Sequence, residues 1–278
     1  MSKVVFWDLG YGGSAEVAAA FGVQAALCDK YHLLLMNCGY SGTGLGEGFP
    51  ARDLEHDRDL SLPIQDYGME ALLRLAESGR LFQANMTDYT YPLLQGRLDL
   101  ADGIKTINDL RHPSFAHLEA ILDIAERYYD IVVMQTSGSC SLFTDREREE
   151  DTLIAVLRQN RVELDTFFEI VGSNAARGNT PLAVVIHQYD AASKWSLPNI
   201  KRRYNCKIPM IGIPYHTEFS DAWNGQDIIS FFRRYRLLKG RGYEREQFLF
   251  SFKELARLAL ADQGRSKTSA VDDKVKGA

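Results

Sequence analysis

The chain has 278 residues, 45% apolar and 25% charged, which is enough apolar material for one large globular core. A formal net charge of -5 excludes a surface built throughout for nucleic acid, and no apolar run approaches the length of a membrane span. Four scattered cysteines (Cys28, Cys38, Cys140, Cys206), without CxxC pairs or metal-ligand spacing, read as buried free thiols, and the N-terminal "MSKVVFWDLGYGG" lacks the pattern of an export leader, so a cytoplasmic address is expected.

In chain order, short apolar runs mark strands at 3–7, 32–38, 97–102, 130–136, 152–158, 182–188 and 208–214. Most lack alternation, the pattern of a sheet covered on both faces. Between them, helical spacing covers 15–27, 69–78, 115–128, 162–170 and 194–204. This alternation predicts a doubly wound α/β fold with a mostly parallel sheet and right-handed crossovers. The glycine-rich segment 40–63 reads as a long functional or mobile loop. From 226 to 260 the chain is helical with a break at 239–244, giving one domain over 1–262 and a polar, disordered tail at 263–278.

The first strand runs into "GYGGSAEVA", a glycine turn leading to an alanine-rich helix, which is the setting in which backbone N–H groups cradle phosphates. Taken with "HLLLMNCGYSGTG", "YYDIVVMQTSGS", "EDTLIAVLRQN", "VIHQY" and "IPYHTEFSDAWNGQ", this order of segments resembles the ParA/MinD superfamily of phosphate-loop ATPases over residues 3–238. Among these the TadZ-like pilus-positioning group offers the model of a degenerate member. The resemblance implies the P-loop NTPase-like fold and a degenerate nucleotide loop at Gly10, Tyr11, Gly12, Gly13, Ser14, Ala15, Glu16 and Val17. It also implies an adenine side at His187, Pro214 and Tyr215, within a loop whose pattern Ile213, Ala222 and Gly225 keep.

At the positions matching the family's chemistry, Tyr11 stands for the cross-dimer lysine, Glu16 for the phosphate lysine and Val17 for the magnesium hydroxyl. Asn37 and Gln135 stand where acids are needed. A carboxylate in place of a lysine beside a triphosphate implies repulsion on the order of several kcal/mol. The expectation is therefore no catalytic residue, no metal site and no cofactor, with ATP and magnesium as the alternative through a lysine recruited from Lys30, Lys105 or Lys194. The function expected is a positioning or assembly scaffold, serving a polar organelle, pilus or secretion machinery, or maintenance of a mobile element. It would act as a homodimer or through a protein partner. A divergent ATPase and a DNA-binding partition protein are the other readings.

Each motif also has a plainer explanation. The glycines can serve only turn geometry, Glu16 suits a positive helix end, and His187 can be a hydrogen-bonded core residue. Serines 137, 139 and 141 do not match a nucleophile elbow. The run with Arg233, Arg234, Arg236, Lys239 and Arg241 could meet DNA, yet Phe231, Phe232, Tyr235 and Leu238 fit the buried stripe of a packing helix. The amphipathic segment 248–261 is expected to dock on the domain rather than on a membrane.

Overall fold

A computed structural model describes residues 2–10, 12–28, 30–38, 44–50, 67–103, 115–138, 152–174, 182–237 and 243–260. Eight strands form one sheet: β1 (Ser2–Asp8), β2 (Leu33–Asn37), β3 (Tyr91–Leu94), β4 (Leu98–Ala101), β5 (Ile131–Ser137), β6 (Thr152–Arg158), β7 (Leu182–Tyr189) and β8 (Met210–Pro214). Their order is β3-β4-β2-β5-β1-β6-β7-β8, and every neighbouring pair is parallel except β3 with β4. The seven strands read from apolar runs are all present. The short edge strand β3 escaped that reading because Pro92 interrupts its pattern, and an edge position is where a strand tolerates proline.

The helices are α1 (Ser14–Cys28), α2 (Gly68–Glu77), α3 (Phe115–Tyr128), α4 (Arg161–Asn174), α5 (Leu197–Arg203), α6 (Thr217–Asn224), α7 (Ile228–Leu237) and α8 (Tyr243–Ala259). Successive strand residues face opposite layers. Val4, Phe6, Val133, Ile154, Val156 and Val185 pack against α1, α7 and α8. On the other face Val5, Leu34 and Val132 meet α2 and α3, while Trp7, Leu157, Val184 and Ile186 meet α4 and α5. Helix α1 is buried from Ser14 to Ala26 apart from the half-buried Glu16, because it lies between the sheet and the α7/α8 layer. Its small alanines suit so crowded a position.

Four expectations are corrected. Residues 217–224, read as a loop after "IPY", form α6: His216 caps it by accepting the Phe219 amide at Nδ1 (3.3 Å), and Phe219 and Trp223, four apart, bury one face. In the 40–63 segment, residues 44–50 contain a 3-10 turn (Leu45–Gly48) whose Leu45 and neighbouring Phe49 are fully buried, so this part is core; the rest lies outside the described residues. Cys28 is exposed and Cys38 and Cys206 half-buried, so these thiols are free but not buried, and Cys140 lies outside the described residues. Helix α5 starts at Leu197, after a turn, rather than at 194. The 263–278 tail is outside the described residues.

Candidate nucleotide-loop site

Strand β1 lies between β5 and β6, where the strand order turns back, and doubly wound sheets bind ligands beyond the C-terminal ends of the strands at that point. The turn leaving β1 has Gly10, Gly12 and Gly13 at φ +93°, +80° and +106°, a region that L side chains rarely adopt. Asp8, at the end of β1 and 1% exposed, occupies the inside of this turn. Its carboxylate accepts the Gly10 amide (2.8 Å), the Ser14 amide (3.2 Å), the Ser14 hydroxyl and the Ser137 hydroxyl (2.6 Å). Gln135 donates to Ser14 Oγ (2.9 Å), and the Gly138 amide closes on the Asp8 carbonyl (2.9 Å). Asp8 is thus an internal anion held by the amides of the loop itself. Sequence reasoning missed it, although an acid placed directly before a glycine turn is a readable signal.

Helix α1 begins at Ser14, and its first backbone bond runs from the Val17 amide to the Gly13 carbonyl (3.0 Å). The Ala15 and Glu16 amides precede that bond and have no intrahelical acceptor, at the positive end of a 15-residue helix. Ala15 and Val17 are buried in the core. Glu16 turns its carboxylate to His187, with Oε2 3.1 Å from Nε2. The core histidine on β7 therefore has a carboxylate partner that the sequence did not indicate. His187 is 7% exposed, and its Nδ1 is buried with no hydrogen-bond partner. A Cβ on Gly13 would lie 2.7 Å from that nitrogen, so the ring packs directly under the loop.

Arg158, at the end of β6, is the register partner of His187. Its side chain shares the sheet face of Val156, the face turned toward α1. Its Nη2 lies 3.9 Å from where a Cβ on Gly12 would stand. Glu163, in the first turn of α4, is 2% exposed. Asn160 caps that helix by accepting the Val162 and Glu163 amides (2.9 and 3.4 Å). Burial pushes the Glu163 carboxyl up to about 7; the Arg158 amide and guanidinium oppose this and the charge of Asp8 adds to it.

Of the other expected positions, Asn37 and Gln135 are register partners on β2 and β5 and bring no acid to the site. The Asn37 amide packs against Gly103, where a Cβ would lie 2.6 Å from Nδ2. Pro214 ends β8, and Tyr215 follows it 58% exposed. Tyr11 lies outside the described residues, as do Lys105, Ser139, Ser141, Lys239 and Arg241. Lys30 precedes β2 and so lies at the opposite end of the sheet from the loop. Arg233, Arg234 and Arg236 are exposed on α7 while Phe231, Phe232 and Tyr235 are buried, the packing-helix arrangement. A cavity of about 560 Å³ bordered by Glu218, Asp221, Asp227 and Arg234 lies between α6 and α7, and no loop residue lines it. Among the described residues no helix is long and apolar enough to cross a membrane, and no group of three or more metal-ligating side chains gathers.

No protein-family model and no curated protein matches this sequence. Solved structures do. A ParA family ATPase from Chlorobium tepidum TLS superposes with a TM-score of 0.71 at 12% identity, over 90% of this chain and 98% of its own. The septum site-determining protein MinD from Pyrococcus horikoshii OT3, complexed with Mg-ADP, gives 0.62 at 14% identity over 93% and 98%. A putative plasmid partition protein from Borrelia burgdorferi B31, bound to AMPPNP, gives 0.61 at 12% identity over 94% and 100%. The chain therefore has the ParA/MinD fold, an eight-stranded, mostly parallel sheet flanked by helices.

These neighbours overturn the expectation of no cofactor, since proteins of this fold are solved with Mg-ADP and AMPPNP. The residues present fit the phosphates of such a group: the loop is glycine-shaped, two first-turn amides lack helical acceptors, and an arginine stands beside Gly12. Val17, Asn37 and Gln135 offer magnesium no anionic oxygen, so an ion brought with a nucleotide would rest on phosphate oxygens and water.

Proposed function

We propose that this chain is a positioning protein of the ParA/MinD type, which takes a nucleotide's phosphates at the β1–α1 loop, does not hydrolyse it, and docks a second copy or a protein partner over that surface. The observation that carries this reading is the state of the loop. Its backbone keeps the left-handed glycines and the helix end of a phosphate cradle, while the side chains that would drive hydrolysis are replaced by the Glu16–His187 pair and the amides of Asn37 and Gln135.

When bound, the nucleotide supplies a polyanion. The amides of Ala15 and Glu16, at the positive end of α1, orient that charge. Asp8 fixes the turn from within by holding Gly10 and Ser14, so the loop needs little reordering when it binds. No carboxylate at 37 or 135 is placed to hold an attacking water, and phosphoryl transfer depends on such positioning. Binding alone then remains as the signal, as suits a TadZ-like scaffold in pilus, secretion or mobile-element maintenance machinery.

Titration calorimetry with Mg-ATP and Mg-ADP, run beside a phosphate-release assay, tests the reading. Saturable binding with phosphate release equal to buffer is expected. Turnover that a loop substitution abolishes, or no binding of either nucleotide, would overturn it.

A further inference from the structure

We infer that Arg158 is the cation that meets the phosphates at this loop, reaching it from the end of β6 across Gly12 instead of from the first turn of α1. This rests on the reading that the loop takes phosphates, and it names the group that makes this possible without a lysine at position 16.

Three independent features point to the same place. Arg158 is exposed, faces the α1 side of the sheet, and brings Nη2 to 3.9 Å from the Cβ position of a glycine whose backbone leaves that space open. A guanidinium held there presents a fork of donors to phosphate oxygens. Next, Glu16 does not aim its charge into the loop, because His187 engages its carboxylate at 3.1 Å. The Glu16 charge is thereby turned away from the loop, the Asp8 carboxylate is already held by the loop's own amides and hydroxyls, and Arg158 brings a cation from the end of β6. Last, His187, register partner of Arg158, keeps Nδ1 buried, unpartnered and directed at Gly13. A buried polar atom without a partner beside the loop marks a place shaped for more than the turn itself. Among the described residues no hydrogen bond or ion pair fixes the Arg158 guanidinium, and its known electrostatic neighbour is Glu163.

That neighbour provides a second signal. Burial pushes the Glu163 carboxyl up, and the two charges of the loop act on it as well: that of Arg158 holds it down and that of Asp8 pushes it further up. When phosphate oxygens take the guanidinium, Glu163 loses part of its compensating charge and takes up a proton near neutral pH. A residue that merely supports the fold would not couple phosphate binding to proton uptake.

The test is calorimetry with ADP, inorganic pyrophosphate and adenosine on the full chain and on Arg158→Ala, Arg158→Lys and Arg161→Ala, in two buffers of different ionisation enthalpy. Arg161 is an exposed neighbour paired with Asp165 (3.8 Å) and serves as the control. Arg158→Ala is expected to weaken ADP and pyrophosphate roughly 10- to 100-fold, the range for a lost charge-assisted contact, and to abolish the buffer-dependent heat. Arg158→Lys should recover part of the affinity; Arg161→Ala should match the parent, and adenosine should not distinguish Arg158→Ala from it. Lysine keeps the charge and the aliphatic stem, so it decides the matter if the alanine variant fails to fold. If the parent binds ADP but not pyrophosphate, or if Arg158→Ala and Arg158→Lys bind both as the parent does, the assignment of Arg158 falls while nucleotide binding stands. If the parent binds neither, the loop reading and the assignment fall together.

Discussion

Asp8→Asn should weaken the fold and strengthen phosphate binding, two effects of opposite sign from one atom. The carboxylate accepts two amides and two hydroxyls. The asparagine keeps one acceptor. Its least costly placement leaves the oxygen on the fully buried Ser14 side, where the hydroxyl is already committed to Gln135, and turns the NH2 toward Gly10 and Ser137. Ser137 can reverse and accept, so the net loss is one half-solvated amide bond plus the weakening of the rest, about 1–2 kcal/mol. For a chain of this size that lowers the melting temperature by roughly 3–6 °C. Meanwhile a negative charge leaves the loop. At about 6 Å and an effective dielectric near 20, its removal strengthens phosphate binding roughly tenfold or more. Urea denaturation and ADP calorimetry on the same preparation read both effects. Unchanged stability together with unchanged or weaker ADP binding would refute the view of Asp8 as the loop's internal anion.

Gly13→Ala should cost about 2–3 kcal/mol, because its φ of +106° is joined by a 2.7 Å clash with His187; Gly10→Ala, with φ +93° and open space, should cost about 1, and urea midpoints that rank the two the other way would contradict the packing of His187 under the loop. For Glu163, the folded carboxyl titrates near 7 against 4.5 in the reference state, so the folded chain holds the extra proton between these values. That contribution is full below about pH 4.5 and lost as pH rises through about 7, on the order of 2 kcal/mol, and Glu163→Gln should flatten this part of the stability profile measured by denaturation from pH 5 to 8.

The sheet was legible because its strands are buried on both faces and so appear as unbroken apolar runs, such as "DIVVMQT" and "LAVVIHQ". What escaped were elements whose stability comes from their surroundings. Strand β3 has four residues, one of them proline, and pairs on one side only. Helix α6 lies in the polar string "TEFSDAWN", and its two apolar anchors have meaning only once Phe231 and Phe248 are known to pack beside Phe219. Helix α3, with a regular apolar stripe, matched the sequence reading at both ends.

The site was legible as a backbone and opaque as a charge pattern, for a physical reason. A glycine turn between a strand and a helix announces its conformation locally, since φ near +80° is a property of the residue. Which charge faces that turn is decided by parallel pairing: β6 and β7 place Arg158 and His187 side by side at the C-terminal end of the sheet, far along the chain from Gly12 and Glu16. The same pairing explains why position 16 cannot be judged alone. A lysine there would lose the contact with His187 and stand near a second cation at Arg158, and a threonine at position 17 would carry its hydroxyl into the core where Val17 is 1% exposed. With Glu16 on the helix and Arg158 at the end of β6, the loop meets its cation from a strand where the family pattern implies a lysine on the helix, and what position 16 tolerates is set by His187 and Arg158 across the gap.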